Sequence, residues 1–264
     1  MTHDNPPHLR TQLEPTEITQ LKDQGYFLCG RVLTDDELAE ARCEVDRAVE
    51  EYTKKFSRPE KINFIHTYDD YFLKLATHPR LLDIVESVLG PDLALYSSHL
   101  LCKPAGDGKA VVWHQDSAYW ALEPMEVLTL WLALDDCDVE NGCMRVLPGS
   151  HHQGLVPHEL ASSESLLKKQ APVEFIEESQ VVDVELRAGE CSLHLPNVFH
   201  SSNPNTSGRR RAGLPLRYIP TTTRIMPVDE RTYNPNYPDV DYSNIVCLLR
   251  GVDRSGNTYL DCSN

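Results

Sequence analysis

The sequence predicts a mainly β protein with flanking α-helices. Six short apolar segments follow residue 91, parted by Gly, Pro, Asn and Asp, a pattern typical of a β-sandwich or β-barrel. Before them, apolar residues recur at helical spacing, which favours helices packed outside the β core. The six segments are residues 92–104, 109–116, 127–137, 142–151, 181–196 and 211–221.

Residues 15–92 are predicted to be mainly helical, with one short apolar strand at residues 26–30. Gly25 can end the first helix, since glycine readily adopts the left-handed backbone of a helix terminus. Thr34 is followed by three acidic residues and predicts the start of a second helix. Residues 78–90 predict a third helix that ends at a glycine.

One domain is expected over residues 1–264, because no repeat or linker divides the chain. Its expected parts are a loose arm at 1–14, a mainly helical part at 15–92, a β core at 93–222 and a C-terminal loop and tail at 223–264. Residues 155–180 read as helical or looped. Residues 227–244 are rich in Pro, Tyr, Asn and Asp and predict a long loop, which we interpret as a lid.

The composition excludes several classes of partner. A formal net charge of −15 disfavours binding to nucleic acid or to anionic membranes. The sequence contains no run of about 18 apolar residues, which is the length needed to span a bilayer. The eight cysteines form no C-x-x-C pair, which disfavours a disulfide framework or a thiolate zinc site. A soluble, reduced, cytoplasmic protein is expected; a homo-oligomer is left open.

His114 and Asp116 lie two residues apart in a predicted strand, so their side chains share one face while Gln115 points away. An imidazole and a carboxylate so placed can bind one metal ion together. His200, at the end of a later apolar strand, is the candidate for the third ligand. Two histidines and one carboxylate leave coordination positions open for oxygen and substrate. Ordinary surface residues are the alternative, since H-x-D alone is a weak motif.

Arg211 lies eleven residues beyond His200 and can face the same cavity from the next strand. A guanidinium there could clamp a carboxylate with two hydrogen bonds. A surface charge is the alternative. Arg209 and Arg210 belong to a turn and read as solvated. Arg217 shares the strand parity of Arg211 and meets either the substrate or an acidic neighbour.

Three segments together resemble the phytanoyl-CoA dioxygenase family of non-haem Fe(II)/2-oxoglutarate oxygenases. They are WHQD at 113–116, LWLALDDCDVENGCMRVLPGSH at 130–151 and GECSLHLPNVFHSSNPNTSGRRRAGLPLRY at 189–218. The segment LKDQGYFLCGRVLTDDELAEAR at 21–42 resembles the opening of that family. The order of these motifs, spread over roughly residues 16–220, is more specific than any single one.

The resemblance implies a double-stranded β-helix (jelly roll, cupin-like) at residues 93–222. It implies that His114, Asp116 and His200 bind Fe(II) and that Arg211 holds the C5 carboxylate of 2-oxoglutarate. Three further residues match family positions near the co-substrate: Lys103, Thr129 and Trp131. A surface lysine and a core aromatic are the alternatives for the first and the last of these.

Three other histidines are not expected to bind metal. His151 and His152 belong to a turn that shapes the fold. His194 lies in an apolar strand, where a histidine is more often part of the core.

The implied activity is hydroxylation of an unactivated C–H bond, with O₂ consumed and 2-oxoglutarate decarboxylated to succinate. Ascorbate is an expected auxiliary reductant. Related halogenases replace the metal-binding carboxylate with a small residue, so Asp116 favours hydroxylation over halogenation. Desaturation and epoxidation stay open.

The substrate is expected to be a small molecule with an anionic end, such as a phosphonate, an amino acid or a secondary metabolite. Strand order places six residues near the cavity: Tyr96, His99, Trp113, Tyr119, Trp120 and Arg217. Of these, His99, Tyr119, Trp120 and Arg217 are the candidates for substrate contact. Two rival interpretations remain. One is a metal-dependent hydrolase or isomerase on a cupin-like barrel; the other is a ligand-binding relative without catalysis.

Overall fold

The computed structural model describes residues 8–162, 165–227, 240 and 242–262. Its α-helices are α1 (Pro15–Gln24), α2 (Asp35–Phe56), α3 (Asp70–Ala76) and α4 (Pro79–Leu89). Its longer strands are β1 (Tyr26–Arg31), β3 (Leu93–Lys103), β4 (Val111–His114), β6 (Leu128–Ala133), β11 (Glu190–His194), β13 (Arg211–Pro220) and β15 (Cys247–Arg250). Its shorter strands are β2 (Ile62–Asn63), β5 (Leu122–Glu123), β7 (Met144–Val146), β8 (Glu159–Leu160), β9 (Lys169–Gln170), β10 (Val182–Val184), β12 (His200–Ser202) and β14 (Arg224–Ile225). The expectation of a mainly β core with flanking helices is confirmed.

The end of α1 and the start of α2 lie at the local signals in the sequence. Helix α1 ends at Gly25, whose φ of +79° requires the left-handed backbone that glycine tolerates. Helix α2 begins at Thr34, whose hydroxyl accepts a hydrogen bond from the amide of Glu37 at 3.2 Å. The Glu37 carboxylate in turn accepts the Thr34 amide at 2.7 Å. This reciprocal capping fixes the start of the longest helix.

The major sheet carries most of the strand pairing. Its strands run in the order β1-β11-β6-β13-β3-β15, and β2 pairs with β3 at the side. Adjacent strands are antiparallel. One face of this sheet packs against buried residues of the helices, among them Leu38 and Ala41 of α2 and Ile84 of α4. The helices therefore cover the outer face of the sheet.

The minor sheet has four short strands in the order β10-β7-β12-β4. It packs on the inner face of the major sheet, where Trp131 and Ala133 meet Met144, Val146 and Val184. Two antiparallel sheets packed in this way form the jelly roll that the sequence led us to expect. The inner faces of both sheets are thus available to line a cavity.

Residues 155–180 are looped rather than helical in the part that the structure describes. Strands β8 and β9 pair with each other, and 3-10 turns follow at Val173–Phe175 and Glu178–Gln180. The Ala171 amide donates to the Trp113 carbonyl at 2.7 Å, which ties this loop to β4. The loop therefore forms part of the wall over the minor sheet.

The C-terminal region corrects one expectation. Cys247 and Cys262 form a disulfide with their Cα atoms 5.9 Å apart, so the expectation of uniformly reduced cysteines is wrong at this pair. The pairing depends on the tail folding back until Leu260 bridges to Cys247, which no cysteine spacing could reveal. Most of the expected lid lies outside the described residues, namely 228–239 and 241. Among the described residues, no helix has the length and apolarity needed to cross a membrane.

Candidate metal centre

Two short strands of the minor sheet bring the candidate histidines together. Strand β4 ends at His114 and β12 begins at His200, and these two residues are paired across the strands. Asp116 does not continue β4 as expected, because it begins the 3-10 turn Asp116–Tyr119. The next amide, that of Ser117, donates to the Pro196 carbonyl at 3.0 Å and anchors this turn. The carboxylate nevertheless faces the same side as the two imidazoles, with Oδ1 3.6 Å from His114 Nε2.

Local hydrogen bonds fix the tautomer of both histidines. His114 Nδ1 lies 2.9 Å from the Val112 carbonyl, and His200 Nδ1 lies 3.1 Å from the Val198 carbonyl. A carbonyl can only accept, so each Nδ1 carries a proton, and in the neutral ring Nε2 then presents the lone pair. Both histidines therefore offer the nitrogen that a metal ion binds.

These two lone pairs and the Asp116 carboxylate form what we call the acceptor cluster. One ligand atom from each of His114, Asp116 and His200 lies within 4.8 Å of the others, and all three residues are buried. His200 Nε2 is 3.9 Å from Asp116 Oδ1. Three hydrogen-bond acceptors that face one another without a donor repel each other, so the cluster suits a cation. The residues fit a divalent metal.

The electrostatics keep this cluster in the form that binds metal. Burial alone would raise the pKa of Asp116, but the charge of Arg217 and the neighbouring His114 and His194 hold that pKa well below its ordinary value. Burial lowers the pKa of His200 well below its ordinary value, and the nearby His114 acts in the same direction. Asp116 is therefore ionised and His200 neutral at pH 7.

Gln115 points away from the cluster, as strand alternation predicts. Its amide nitrogen donates to the carbonyls of Gly154 and Asn197, both at 2.7 Å. Its oxygen accepts the Val156 amide at 2.9 Å. Gln115 thus holds the loops behind the cluster in place.

A cavity of about 440 Å³ opens at the acceptor cluster. The four candidates for substrate contact all line it: His99, Tyr119, Trp120 and Arg217. Tyr96 and Trp113, also expected near the cavity, are not among its lining residues. Further walls come from residues that the sequence did not indicate, among them Phe64, Leu166 and Leu167. Apolar walls with a few polar groups are typical of a small-molecule site.

The four predicted wall residues have defined partners. His99 Nε2 lies 2.7 Å from the Glu60 carbonyl, and burial lowers the pKa of His99 to about 4, with Arg217 acting in the same direction. The Tyr119 hydroxyl donates to the Lys169 carbonyl at 2.8 Å. The Arg217 guanidinium lies over the Trp120 ring, 5.4 Å from its centre. At neutral pH Arg217 is therefore the charged group of these four.

Arg211 and Lys103 form a second group, which we call the cation pair. They face each other across β13 and β3, and both are almost fully buried. Arg211 donates to the Gly142 carbonyl at 2.8 Å, while Lys103 donates to the Ser202 hydroxyl at 2.8 Å and to the Asn203 carbonyl. These partners are uncharged, and in the described part of the chain no carboxylate pairs with either cation. Arg211 is thus a buried basic group without a carboxylate partner, which suits an anionic ligand, and an anion bound there would also favour the protonated form of Lys103.

Trp131 links the cation pair to the cavity wall. The Arg211 guanidinium lies over its ring at 5.4 Å, and both residues line the cavity. The ring fits because Gly213 lies beneath it; a Cβ at position 213 would be 2.0 Å from the Trp131 ring. Burial lowers the pKa of Lys103 to about 6, and the charge of Arg211 adds to that effect.

Two predicted co-substrate residues lie behind the cavity wall. Lys103 is fully buried and reaches the wall only through Ser202. Thr129 is also fully buried, and it pairs with His194 and Arg217 rather than with the cation pair.

His194 is the residue that the sequence analysis misplaced, because it lines the cavity instead of the core. Its Nε2 lies 3.7 Å from Asp116 Oδ2. Alternation along β11 could have predicted that His194 faces the cavity, since Ser192 and His194 lie on one face of the strand and Leu193 lies on the other. His151 and His152 lie in the expected turn, where their rings contact the Lys22 and Asp23 carbonyls.

Comparisons with known proteins agree on one family. The sequence model of Phytanoyl-CoA dioxygenase (PhyH) matches residues 9–213. L-proline trans-4-hydroxylase of Streptomyces griseoviridis is 29% identical over 172 residues, which cover 58% of this chain and 64% of the relative. For this and two other curated relatives, the chain covers 54 to 64% of the relative's own length.

Solved structures share the fold. The non-haem monooxygenase ThoJ, in its apo form, has a TM-score of 0.73 at 28% identity, covering 92% of this chain and 88% of ThoJ. CytC3 with Fe(II) and α-ketoglutarate has a TM-score of 0.66 at 19% identity, covering 95% of this chain and 93% of CytC3. The second likeness concerns the fold alone.

Proposed function

The chain belongs to the phytanoyl-CoA dioxygenase family, and from this premise we propose that it is an Fe(II)/2-oxoglutarate-dependent oxygenase that hydroxylates a small organic substrate. The observation that carries the proposal is the acceptor cluster, whose three ligand atoms lie within 4.8 Å of one another. Arg211 supports it, because it lines the same cavity and a keto-diacid held at the cluster can place its second carboxylate on this guanidinium. Family membership, the acceptor cluster and the cation pair thus point to the same chemistry.

His114, Asp116 and His200 are the proposed ligands of Fe(II). Each histidine has its Nδ1 proton tied to a carbonyl, so its Nε2 is free for the metal. Asp116 adds the one carboxylate that offsets part of the metal's charge. Three protein ligands leave room for the co-substrate and O₂.

Arg211 is the proposed partner of the C5 carboxylate of 2-oxoglutarate. It is 2% exposed, so a charge-assisted hydrogen bond there is little weakened by water. Trp131 holds the guanidinium from one side. Lys103 contributes from behind the wall through Ser202, and Thr129 contributes indirectly, by pairing with the wall residues His194 and Arg217 across neighbouring strands.

When bound, iron and 2-oxoglutarate together supply the oxidising power for the reaction R–H + 2-oxoglutarate + O₂ → R–OH + succinate + CO₂, with ascorbate as an auxiliary reductant. The chain's own residues orient the reactants and exclude water. His99, Tyr119 and Trp120 form the substrate wall, and Arg217 binds an anionic end such as that of a phosphonate or an amino acid. Phe64, Leu166 and Leu167 exclude water from the rest of the cavity.

A succinate-release screen tests this proposal. The chain, loaded anaerobically with Fe(II), is supplied with 2-oxoglutarate, O₂ and panels of amino acids, phosphonates, acyl thioesters and other small acids. We expect succinate release to rise with at least one panel member and to disappear in His200→Ala. His152→Ala, a histidine outside the cavity, is the matched control and should keep the wild-type rate.

The same screen separates the rival interpretations. A hydrolase or isomerase would convert its substrate without 2-oxoglutarate or O₂. A ligand-binding relative would bind Fe(II) and release no succinate with any panel member. Either result would contradict the proposal. Mass spectrometry of the product then separates hydroxylation, which adds one oxygen, from desaturation, which removes two hydrogens.

A further inference from the structure

A row of polar side chains crosses the major sheet beside Asp116. His194 on β11 pairs with Thr129 on β6, and Thr129 pairs in turn with Arg217 on β13. The adjacent row on the opposite face of the same strands is entirely leucine: Leu193, Leu130 and Leu216. His194 is therefore held on the cavity side by the same alternation that places leucine under the helices.

The two oxygens of Asp116 face different partners. Oδ1 faces the acceptor cluster, 3.6 Å from His114 Nε2 and 3.9 Å from His200 Nε2. Oδ2 faces the polar row, 3.7 Å from His194 Nε2 and 3.6 Å from Arg217 Nε. The carboxylate thus has one edge for a metal and one edge for the protein.

His194 differs from the other buried histidines in its hydrogen bonding. Neither of its ring nitrogens has a hydrogen-bond partner among the described residues, although the side chain is 2% exposed. By contrast, His66, His114 and His200 each place a ring nitrogen on a backbone carbonyl. Leaving a buried polar atom unsatisfied destabilises the folded protein, so this imidazole requires a polar partner in the site.

Asp116 Oδ2 is the acceptor that suits this imidazole. It is also buried and without a hydrogen-bond partner in the described part of the chain. Because Asp116 lies in a turn beyond β4, strand pairing does not fix the rotation of its side chain. A donor on the Oδ2 side would fix that rotation. A neutral imidazole that carries its proton on Nε2 provides such a donor.

His194 is not placed as a fourth ligand. The group of ligand atoms that converge within 4.8 Å comprises those of His114, Asp116 and His200 and does not include His194. Its Nε2 approaches Oδ2 of the carboxylate, at 3.7 Å, whereas the closest approaches of His114 and His200 are to Oδ1. The position is that of an outer partner to a metal-binding carboxylate.

We propose that His194 is a positioning residue for Asp116: it donates Nε2–H to Oδ2 and so turns Oδ1 alone toward the metal. The inference rests on the proposed function, because it concerns the metal-binding carboxylate. Arg217 Nε, 3.6 Å away, faces the same oxygen. Loss of an outer partner of this kind typically costs about 10- to 100-fold in metal affinity.

Co(II) binding tests the inference without turnover. Co(II) titration by calorimetry gives the affinity, and its visible d–d spectrum reports the geometry of the ligands. We expect His194→Leu to weaken Co(II) binding by roughly 10- to 100-fold and to change the spectrum. His194→Gln keeps an N–H that can reach Oδ2 and should stay within about threefold of wild type. His152→Leu, a histidine outside the cavity, should match wild type.

The outcomes distinguish a failure of the inference about His194 from a failure of the proposed function on which it rests. Wild-type affinity and spectrum in His194→Leu would overturn the inference, as would equal losses in folded Leu and Gln variants. If circular dichroism shows His194→Leu unfolded, His194→Asn, whose shorter amide falls short of Oδ2, replaces it with the same expected loss. A wild-type chain that binds no Co(II), or a His200→Ala variant that binds it normally, would instead overturn the proposed function and the inference with it.

Discussion

The acceptor cluster and the cation pair suit ligands of opposite charge. At the first, imidazole lone pairs and a carboxylate converge, which suits a cation; at the second, Arg211 and Lys103 face each other, which suits an anion. The two histidines of the cluster are carried by short strands of the minor sheet, and the pair by long strands of the major sheet. The difference teaches that one ligand set, a metal chelated by a diacid, can supply the cation for the cluster and the anion for Arg211.

The two sites are also fixed by different means. The histidines of the acceptor cluster are tied to carbonyls two residues back on their own chain segments. The cation pair depends on register between residues 103 and 211 and on the room that Gly213 leaves for Trp131. Variants should therefore separate metal binding from co-substrate binding.

The largest expected effect is at Asp116. Asp116→Ala removes the only carboxylate of the acceptor cluster among the described residues, so metal binding and hydroxylation should both be lost. The loss should exceed the roughly 10- to 100-fold cost of removing an outer partner. Equilibrium dialysis with Fe(II) or Co(II), together with product formation, measures it. Ser117→Ala is the neighbouring control; normal hydroxylation by Asp116→Ala would remove Asp116 from the ligand set.

Arg211 should show the converse pattern. Arg211→Gln leaves the acceptor cluster intact, so Co(II) affinity should stay at the wild-type value. The affinity for 2-oxoglutarate should fall by about 10- to 100-fold, because a hydrogen bond to a charged group is worth about 1.5–3 kcal/mol. Arg211→Lys keeps the charge but loses the planar guanidinium, so its affinity for 2-oxoglutarate should lie between those of the wild type and Arg211→Gln. An unchanged KM for 2-oxoglutarate in Arg211→Gln would place the co-substrate elsewhere.

A smaller effect is expected at Gly213. The added methyl group of Gly213→Ala would meet the Trp131 ring at 2.0 Å, so the ring must move off Arg211. Overpacking of this kind typically costs about 1–3 kcal/mol in the free energy of unfolding. Urea denaturation and 2-oxoglutarate titration should both show the change. Gly208→Ala is the control, because nothing lies within 4 Å of its added carbon. Equal stability and equal 2-oxoglutarate affinity of the two variants would show that the contact between Gly213 and Trp131 is not needed.

The last effect concerns the pH dependence of stability. Burial and Arg211 lower the folded-state pKa of Lys103 to about 6, whereas the unfolded lysine keeps its ordinary value near 10.5. Burying the protonated amine destabilises the folded protein. This cost is full below about pH 6 and vanishes above the pKa of the unfolded lysine. Between these two pH values the free energy of unfolding therefore rises with pH, by up to about 1.4 kcal/mol per pH unit. Lys103→Met should remove this contribution. Urea denaturation of the ligand-free chain at pH 6.5 and 8.5 measures the slope; identical slopes would show that Lys103 stays charged in the folded protein.

Features encoded by neighbouring residues could be predicted from the sequence. The capping box at Thr34 is one case, because the residues involved lie within four positions. His114 and His200 are another, since each motif also encodes its own orienting carbonyl. The jelly roll followed from the order of the motifs. Features that depend on distant pairing could not be predicted.

His194 shows why. Its role depends on Asp116, which lies 78 residues earlier and in a turn rather than in the strand that alternation implied. The burial of Lys103 and Thr129 behind the cavity wall likewise depends on which strands become neighbours. The Cys247–Cys262 disulfide depends on the path of the tail. The division of the chain at residues 14, 92 and 222 stays a prediction, as does the lid.

The central claim is that one metal ion and one keto-diacid complete both groups. An anaerobic crystal structure with Fe(II) and 2-oxoglutarate, with the iron located by anomalous diffraction, tests it most directly. The account predicts a single iron peak bonded to His114 Nε2, Asp116 and His200 Nε2, with the distal carboxylate of the diacid on Arg211. Iron bound at other side chains, or a diacid whose distal carboxylate lies away from Arg211, would contradict it.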